Sequence, residues 1–249
     1  MMEINFLFLA CTVPAIMLYG IAKSGLGGSM SLISIPLMTV VMPLNEAIAI
    51  ILPILILTDI AAVYKFRKQF DKDTVKLMVS GGIVGVIVGS LTYTYFTEEL
   101  LKFIIGVMGF AFTAHYFLFK RKKKVPVEKS ILKGSLSSIA AGFASFCAHS
   151  GGTPTSIYLL PLRLKKEVYV GTRVIFFMFL NLSKLPLYLA LSILSIESLK
   201  QSIMFLPISF VGILIGYFIL KKIKQDTFYS IVYTLILISS SKLLFDYLA

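Results

Sequence analysis

Long apolar stretches, separated by short polar or basic segments, follow one another along all 249 residues of the chain. Most approach the roughly 20 residues that an α-helix needs to cross the hydrocarbon core of a bilayer. Three are shorter, at 30–43, 134–148 and 153–162, and predict half-helices or tilted spans. The pattern therefore predicts an all-α polytopic membrane protein. The predicted segments are 4–22, 30–43, 47–64, 74–96, 100–119, 134–148, 153–162, 174–194, 201–220 and 226–248.

Two glycine-rich breaks interrupt the apolar stretches at matching places in the two halves of the chain. The first covers residues 23–29 and the second covers residues 147–154. Irregular backbone is not exposed to lipid, so a broken helix must be buried in protein or face a water-filled cavity. Paired interruptions of this kind are typical of the binding site of a membrane transporter.

The two halves of the chain also align with each other at an offset of 124 residues. The glycine pair at 27–28 then falls on the pair at 151–152, and segment 73–76 falls on 197–200. A broken segment returns to the side of the membrane from which it starts, so it adds an even number of crossings. With the three spans that follow, each half crosses the membrane an odd number of times. The two halves then enter the membrane in opposite orientations, which predicts two inverted-topology repeats.

The repeat sets the predicted domain organisation. Residues 1–120 form the first repeat and residues 134–249 the second, each a glycine-broken helix or helical hairpin followed by three transmembrane helices. A basic linker at 121–133 joins them within a single integral membrane domain. Whether the broken segments are re-entrant or fully spanning stays open at this point.

Composition and charge support a membrane location and exclude nucleic-acid binding. The chain is 57% hydrophobic and 14% charged, with a mean hydropathy of +0.90, whereas soluble domains carry about 25% charged residues. The net charge of +12 lies in short loops between apolar stretches, which predicts cytoplasmic basic loops in the cell (plasma or inner) membrane. No basic face with interleaved aromatic residues indicates a nucleic-acid partner. Cys11 and Cys147 lie in apolar surroundings and predict packing residues rather than a disulfide.

The glycine-rich breaks are the best candidates for substrate contact. A helix that restarts after a break presents unpaired N–H groups and a positive partial charge, and together with nearby hydroxyl groups these can bind an oxyanion. Close helix packing through small residues is the alternative interpretation. The predicted substrate-binding residues are Ser24, Gly25, Gly27, Gly28, Ser29, His149, Ser150, Gly151, Gly152, Thr153 and Pro154.

Five further polar residues are candidates for gating or ion coupling. Lys23 adjoins the first break and is either a substrate ligand or a lysine that reaches the membrane surface. Asp59 and Lys184 occupy nearly equivalent positions in the two halves, and we expect them to pair, to face a cavity, or to lie at the interface. Asn181 lies one turn before Lys184, on the same helix face. Arg173 opens a span and predicts either a cytoplasmic topology charge or an anion-entry role.

His149 lies directly before the second break and can donate to an anion or carry a coupled proton. It is either such a functional group or a packing residue. A pair of Ser29 and His149 is imaginable as the centre of an intramembrane enzyme, but no carboxylate is placed by sequence to orient the histidine. The chain has no phosphate-loop motif and no metal-ligand cluster. We therefore predict that the protein is not an enzyme and binds no cofactor and no metal.

Three stretches resemble a known family. The stretch from Ala148 to Pro161 resembles the hallmark of the sulfite exporter TauE/SafE family. The first glycine-rich segment, residues 20–36, is similar to the family's N-terminal motif, and residues 171–188 are similar to the span that follows the second motif. The resemblance covers essentially the whole chain.

The resemblance implies a multi-span secondary transporter that exports or takes up sulfite, organosulfonates or related small anions. The substrate is then expected between the two glycine-rich breaks, near the membrane midplane. The expected partners are a small anionic substrate, the lipid bilayer, protons or sodium as coupling ion, and further copies of the chain in a homo-oligomer. The alternatives are an intramembrane enzyme using Ser29 and His149, and a transporter of another small anion such as a carboxylate.

Overall fold

The computed structural model describes residues 6–24, 31–120 and 126–248, and within these ranges the chain is helical throughout, without a β-strand. A short 3₁₀ turn follows α4 and a π turn follows α5. The helices are α1 (Phe6–Ser24), α2 (Ser31–Thr39), α3 (Leu44–Phe66), α4 (Lys72–Thr92), α5 (Glu98–His115), α6 (Ile131–Ala148), α7 (Gly152–Leu159), α8 (Lys166–Ala190), α9 (Ile196–Lys222) and α10 (Gln225–Leu248).

Eight helices in the described ranges are long and apolar enough to cross a membrane, all except α2 and α7. This confirms the predicted polytopic helical fold. The two short helices each follow one of the glycine-rich breaks, as the sequence predicts. Among the boundaries that differ from the prediction, two change the interpretation: α6 begins at Ile131 and is long enough to span, and α8 begins at Lys166 rather than at 174. Arg173 therefore lies two turns inside a helix instead of at its start.

Polar side chains set where several helices begin. Asp71, Ser130 and Ser195 each stand before the first turn of a helix and accept a hydrogen bond from a backbone N–H of that turn. Each bond satisfies an N–H that has no partner within the helix. The polar segments between the apolar stretches thus end one helix and start the next.

The helices pack most extensively in the pairs α1–α9 and α4–α6, followed by α5–α10 and α3–α8. Glycines allow the two closest pairs to approach backbone to backbone. A Cβ on Gly20 would lie 2.3 Å from the Ser209 carbonyl oxygen, and a Cβ on Gly142 would lie 2.0 Å from the Gly82 carbonyl oxygen. Small residues permit such contacts between membrane helices.

The packing has a regular order along the chain. The first five helices can be matched in order with the last five, so that α1 corresponds to α6, α3 to α8 and α4 to α9. The contact α1–α9 then corresponds to the contact α6–α4, and the contact α3–α9 corresponds to the contact α8–α4. The pairs α3–α8 and α5–α10 each correspond to themselves. Helices α3 and α8 contact each other, α3 packs against the pair α1–α9, and α8 packs against the pair α4–α6. Both carry buried polar residues described next.

Candidate functional site

A cavity of about 60 Å³ lies where the C-terminal ends of α1 and α6 approach α3, α7 and α8. These two ends are the points at which the chain enters the two glycine-rich breaks. The cavity therefore joins both halves of the chain at one place. Its lining residues are Tyr19, Ala22, Lys23, Leu55, Ser145, His149, Gly152, Arg173, Val174, Phe177 and Asn181.

A buried ion pair closes one side of the cavity. The Lys23 ammonium lies 2.6 Å from Asp59 Oδ1 and donates to the Leu55 carbonyl oxygen at 3.1 Å. The other carboxylate oxygen, Oδ2, accepts a 2.7 Å hydrogen bond from the Asn181 amide. The Lys23 side chain is 7% exposed and the Asp59 side chain is fully buried. The Lys23 ammonium is therefore held inside the protein and does not reach out to the membrane surface, and Asp59 is buried in protein.

A second buried cation, Lys184, lies behind the cavity. Its ammonium is 2.8 Å from Nδ1 of His149 and 3.1 Å from both the hydroxyl and the carbonyl oxygen of Ser145. These three acceptors satisfy the three N–H donors of an ammonium group. Asp59 thus pairs with Lys23 and not with Lys184, and the Lys184 side chain is completely buried in protein.

The two ring nitrogens of His149 have distinct roles. Nε2 lies 3.0 Å from the carbonyl oxygen of Ile48, which can only accept, so Nε2 carries the hydrogen. Nδ1 then accepts from Lys184, and the neutral imidazole joins α3 to α8. Both nitrogens are engaged and no carboxylate of the described residues pairs with the ring, so this arrangement lacks the free base of a serine hydrolase.

His149 also has an unusual backbone conformation. It ends α6 with φ at 49°, in the left-handed region that favours glycine. Histidine is among the residue types that occur there more often than most, but a side chain in this region still carries strain. Such outliers cluster at functional sites, where the surrounding contacts hold them. The contacts to Ile48 and Lys184 supply that support.

Arg173 is the third cation of the site. It is 5% exposed and its Nη1 donates to the hydroxyl groups of Ser156, at 2.8 Å, and Tyr169, at 3.1 Å. The Gly152 carbonyl oxygen lies 3.4 Å away and the ring of Phe177 is also adjacent. All these partners are neutral. The structure thus excludes the interpretation of Arg173 as a solvated topology charge, because the side chain is buried on the cavity wall.

Two polar atoms in the lining have no hydrogen-bond partner within the described ranges. They are the hydroxyl oxygen of Tyr19 and the Oδ1 atom of Asn181. Both residues are buried, at 5% and 1% exposure. Buried polar groups in folded proteins are almost always paired with protein or with ordered water. A polar occupant of the cavity that these two residues line would satisfy them.

The site carries excess positive charge. Lys23 and Asp59 balance each other. Among the described residues, neither Arg173 nor Lys184 has a carboxylate within ion-pair distance. A buried guanidinium stays charged, and a buried charge without a counter-ion is costly. This imbalance favours the entry of an anion.

The remaining residues of the second break differ in their placement. Gly152 lines the cavity, and α7 begins there with its N-terminal end. The Ser150 hydroxyl donates to the Ala148 carbonyl oxygen, and the Pro154 carbonyl oxygen accepts from Ser137 at 2.5 Å. The structure does not bring Ser150, Gly151, Thr153 or Pro154 to the cavity wall.

The first break is mostly outside the described residues, which applies to the predicted ligands Gly25, Gly27, Gly28 and Ser29. Ser24, the last residue of α1, is buried and donates to the Ile213 carbonyl oxygen of α9 over 2.6 Å. It fixes the end of α1 and is not part of the cavity wall.

Sequence reasoning missed three contributors: Tyr19, Ser145 and the Leu55 carbonyl group. Tyr19 and Ser145 stand four residues before Lys23 and His149, so they share a helix face with residues that were predicted. That spacing was the signal that could have found them. The described residues contain no group of three or more histidine, cysteine or acidic side chains able to hold a metal ion.

Comparisons with known proteins agree with this picture at the level of the family. The chain matches the model of the sulfite exporter TauE/SafE family over residues 12–243. Searches of the curated proteins and of the solved structures gave no match. The match spans nearly the full chain and includes every residue of the cavity wall. The protein therefore belongs to the sulfite exporter TauE/SafE family of membrane transporters.

Proposed function

We propose that the protein is a secondary transporter of a small sulfur-containing oxyanion such as sulfite, and that the anion binds in the cavity between α1, α6, α7 and α8. The observation that carries this proposal is the buried charge imbalance. Arg173 lines the cavity and Lys184 lies directly behind Ser145 and His149, and both have only neutral partners in the described part of the chain.

An anion in the cavity would act as the missing counter-ion. Electrostatic attraction is strong in a poorly solvated interior, so two uncompensated cations favour binding of a negative ligand. The N-terminal end of α7 adds a positive partial charge at Gly152. The Tyr19 hydroxyl supplies a further donor. These groups surround the cavity from different helices, which suits an oxyanion with several acceptor oxygens.

The order of helix packing supports an inverted-repeat architecture. The correspondence between the pairs α1–α9 and α6–α4 is what two related halves of five helices would produce. Each half begins with the helix that precedes a break, and both of these helices end at the cavity. Alternating access then follows from motion of one half against the other around a central site. Cytoplasmic placement of the basic loops belongs to the same proposal.

Proton coupling is also part of the proposal. In the present arrangement Nδ1 of His149 accepts from Lys184, so a proton added to that nitrogen would place two cations 2.8 Å apart. The contact would have to break. A proton taken up from one side of the membrane would thus change both the charge and the geometry behind the cavity. Sodium coupling is the alternative, and the flux experiment described next distinguishes it from proton coupling.

The test uses the full-length protein in proteoliposomes loaded with sulfite. We expect Arg173→Gln to reduce sulfite flux at least tenfold, because it removes the cation of the cavity wall. Arg163→Gln is the matched control, since Arg163 pairs with the exposed Asp226 away from the cavity. Flux that is equal in the two variants would overturn the site. Flux driven by a sodium gradient but not by a pH gradient would overturn proton coupling.

A further inference from the structure

The Asn181 amide has a fixed orientation. Its Nδ2 donates to Oδ2 of Asp59, and because a carboxylate only accepts, the amide cannot be turned the other way round. Its Oδ1 is buried and has no partner in the described part of the chain. An acceptor left unpaired in a buried site is costly. The occupant of the cavity is thus expected to bring a hydrogen-bond donor to Asn181.

The rest of the wall offers donors. Tyr19 presents a hydroxyl group without a partner, and it lies one helical turn from Lys23 on the same face of α1. Arg173 presents a guanidinium group, and within the described residues its hydrogen bonds come from Nη1. A ligand that satisfies this wall must accept at several atoms and donate at one.

The size of the cavity limits the ligand further. A volume of about 60 Å³ corresponds to roughly four to six water-sized groups, at about 10–15 Å³ for each. An inorganic oxyanion of four or five heavy atoms matches this space. An organosulfonate with a carbon chain needs a larger cavity than this one.

Resting on the transport function proposed above, we propose that the site takes its oxyanion in the singly protonated form, hydrogensulfite in the case of sulfite. The O–H of the anion donates to Oδ1 of Asn181. Its unprotonated oxygens accept from the Tyr19 hydroxyl and from Arg173. A fully deprotonated dianion has no hydrogen to offer and would set an oxygen lone pair against the Asn181 oxygen.

This proposal differs from what charge alone predicts. Two uncompensated cations attract a dianion more strongly than a monoanion. The acceptor at Asn181 opposes that preference, because it favours a ligand with an O–H over one without. A comparison of two anions with equal charge and similar shape isolates the effect of the donor.

Nitrate and hydrogencarbonate form such a pair. Both are planar, singly charged and carry three oxygens, and only hydrogencarbonate has an O–H. We expect titration calorimetry on the detergent-solubilised full chain to show hydrogencarbonate binding roughly tenfold or more tightly than nitrate. Binding of sulfite should fall as rising pH converts it to the dianion, and sulfate should bind weakly. Equal binding of nitrate and hydrogencarbonate, or sulfite binding that rises with the dianion, would overturn the inference.

Two variants connect the preference to named residues. Asn181→Leu should bring the ratio of hydrogencarbonate to nitrate affinity close to one. The ratio is the readout here, because this variant also releases Asp59 and lowers all affinities. Tyr19→Phe removes only a hydroxyl and should weaken both anions roughly tenfold while the ratio stays unchanged. Tyr64→Phe, at an exposed position, is the matched control and should bind as the unmodified protein does.

The outcomes separate this inference from the proposed function. If sulfite binds but nitrate and hydrogencarbonate bind equally, the function stands and the protonated-ligand inference fails. If sulfite and the other anions all fail to bind the unmodified protein, the proposed function fails and the inference fails with it. If Asn181→Leu does not fold, the comparison of the two anions on the unmodified chain decides alone.

Discussion

The ammonium group of Lys23 lies 2.6 Å from Oδ1 of Asp59, where the carboxylate is completely buried between α1, α3 and α8. The two residues come from different helices and are 36 positions apart in the sequence. Asn181 contacts the second carboxylate oxygen, so both oxygens have a partner. The pair fixes the end of α1 against α3 at the wall of the cavity.

Breaking this pair should destabilise the protein strongly. Asp59→Asn leaves Lys23 as a buried cation without a counter-ion, and removing one member of a buried pair costs about 3–5 kcal/mol. The double variant with Lys23→Met should recover much of that loss, because no unpaired charge remains. Thermal unfolding in detergent of both single variants and the double variant measures the coupling.

The surface pair Lys129–Asp71 is the matched control. Its ammonium and carboxylate are 2.7 Å apart, but the two side chains are 45% and 21% exposed. Exposed pairs contribute at most about 1 kcal/mol. If Asp71→Asn and Asp59→Asn lowered the unfolding temperature equally, the buried pair would have no special structural role.

Two substitutions at His149 separate backbone strain from side-chain function. Both His149→Ala and His149→Gly remove the contacts to Ile48 and Lys184, but only glycine adopts a φ near 49° without strain. We expect the glycine variant to be more stable than the alanine variant by about 1 kcal/mol.

Sulfite flux should be reduced in both His149 variants, because each leaves Lys184 without its imidazole partner. Flux assays in proteoliposomes alongside unfolding curves test the two effects separately. A glycine variant that transports as well as the unmodified protein would remove His149 from the mechanism. An alanine variant as stable as the glycine variant would contradict the strain at this position.

The close approach of α4 and α6 predicts a large effect of a single methyl group. A Cβ on Gly85 would lie 2.0 Å from the Ile139 carbonyl oxygen and 2.9 Å from the Phe143 backbone nitrogen. Backbone cannot move aside as a side chain can, so Gly85→Ala should destabilise the protein by about 1–3 kcal/mol.

Gly106 provides the comparison for that prediction. A Cβ there would first meet the Leu244 side chain at 3.1 Å, which can shift slightly. Gly106→Ala should therefore cost less than Gly85→Ala in a thermal unfolding assay. Equal losses would show that the contact between α4 and α6 is not as rigid as its backbone distances indicate.

Acid should weaken the contact between the start of α4 and the segment that precedes α6. Partial burial alone raises the pKa of Asp71, but hydrogen bonds from Lys129 and from the Thr74 backbone N–H outweigh it and hold that pKa below its usual value. A lowered pKa contributes stability that is fully present above the pKa of the unfolded chain. That stability is lost as the pH falls through the folded-state pKa.

Asp71→Asn is the variant that tests this contribution. It keeps a side chain able to begin a helix but removes the charge that titrates. The difference in unfolding temperature between the variant and the unmodified chain should shrink at acidic pH. A difference that stays constant across the acidic range would exclude the titration of Asp71 as its cause.

The helical fold was largely predictable because apolar length and glycine interruptions act locally. Seven of the eight candidate spans and the short helices α2 and α7 follow from these patterns, whereas α6 was expected to be a half-helix or a tilted span. The start of α8 was not found, since Lys166 and Glu167 look like loop residues in isolation. Contacts of Lys166 with the carbonyl oxygens of Leu220 and Ile223 hold that turn in place, and sequence patterns do not show them.

The site was predictable in its residue types but not in its pairings. His149 and Gly152 were predicted to contact substrate, and Asp59, Lys184 and Asn181 were candidates for gating or ion coupling. Which charges meet depends on how α1 is placed against α3, and that is a tertiary property. The equivalent positions of Asp59 and Lys184 in the two halves made a pair between them one alternative. In the structure Lys23 lies beside Asp59 instead. Tyr19 was missed because an aromatic residue in an apolar helix usually indicates packing.

The glycine contacts described for α1–α9 and α4–α6 determine where the molecule can deform. Backbones that touch directly have no side-chain layer between them that can rearrange. The two helices of each pair therefore move together as one rigid pair. One rigid pair ends near Lys23 and the other near His149, and both residues line the same cavity. Under the alternating access proposed above, opening the cavity would move these rigid pairs along α3 and α8. Transport rates should accordingly depend on the size of the side chains that face α3 and α8. Substitutions within a rigid pair that leave the protein folded should change the rates less.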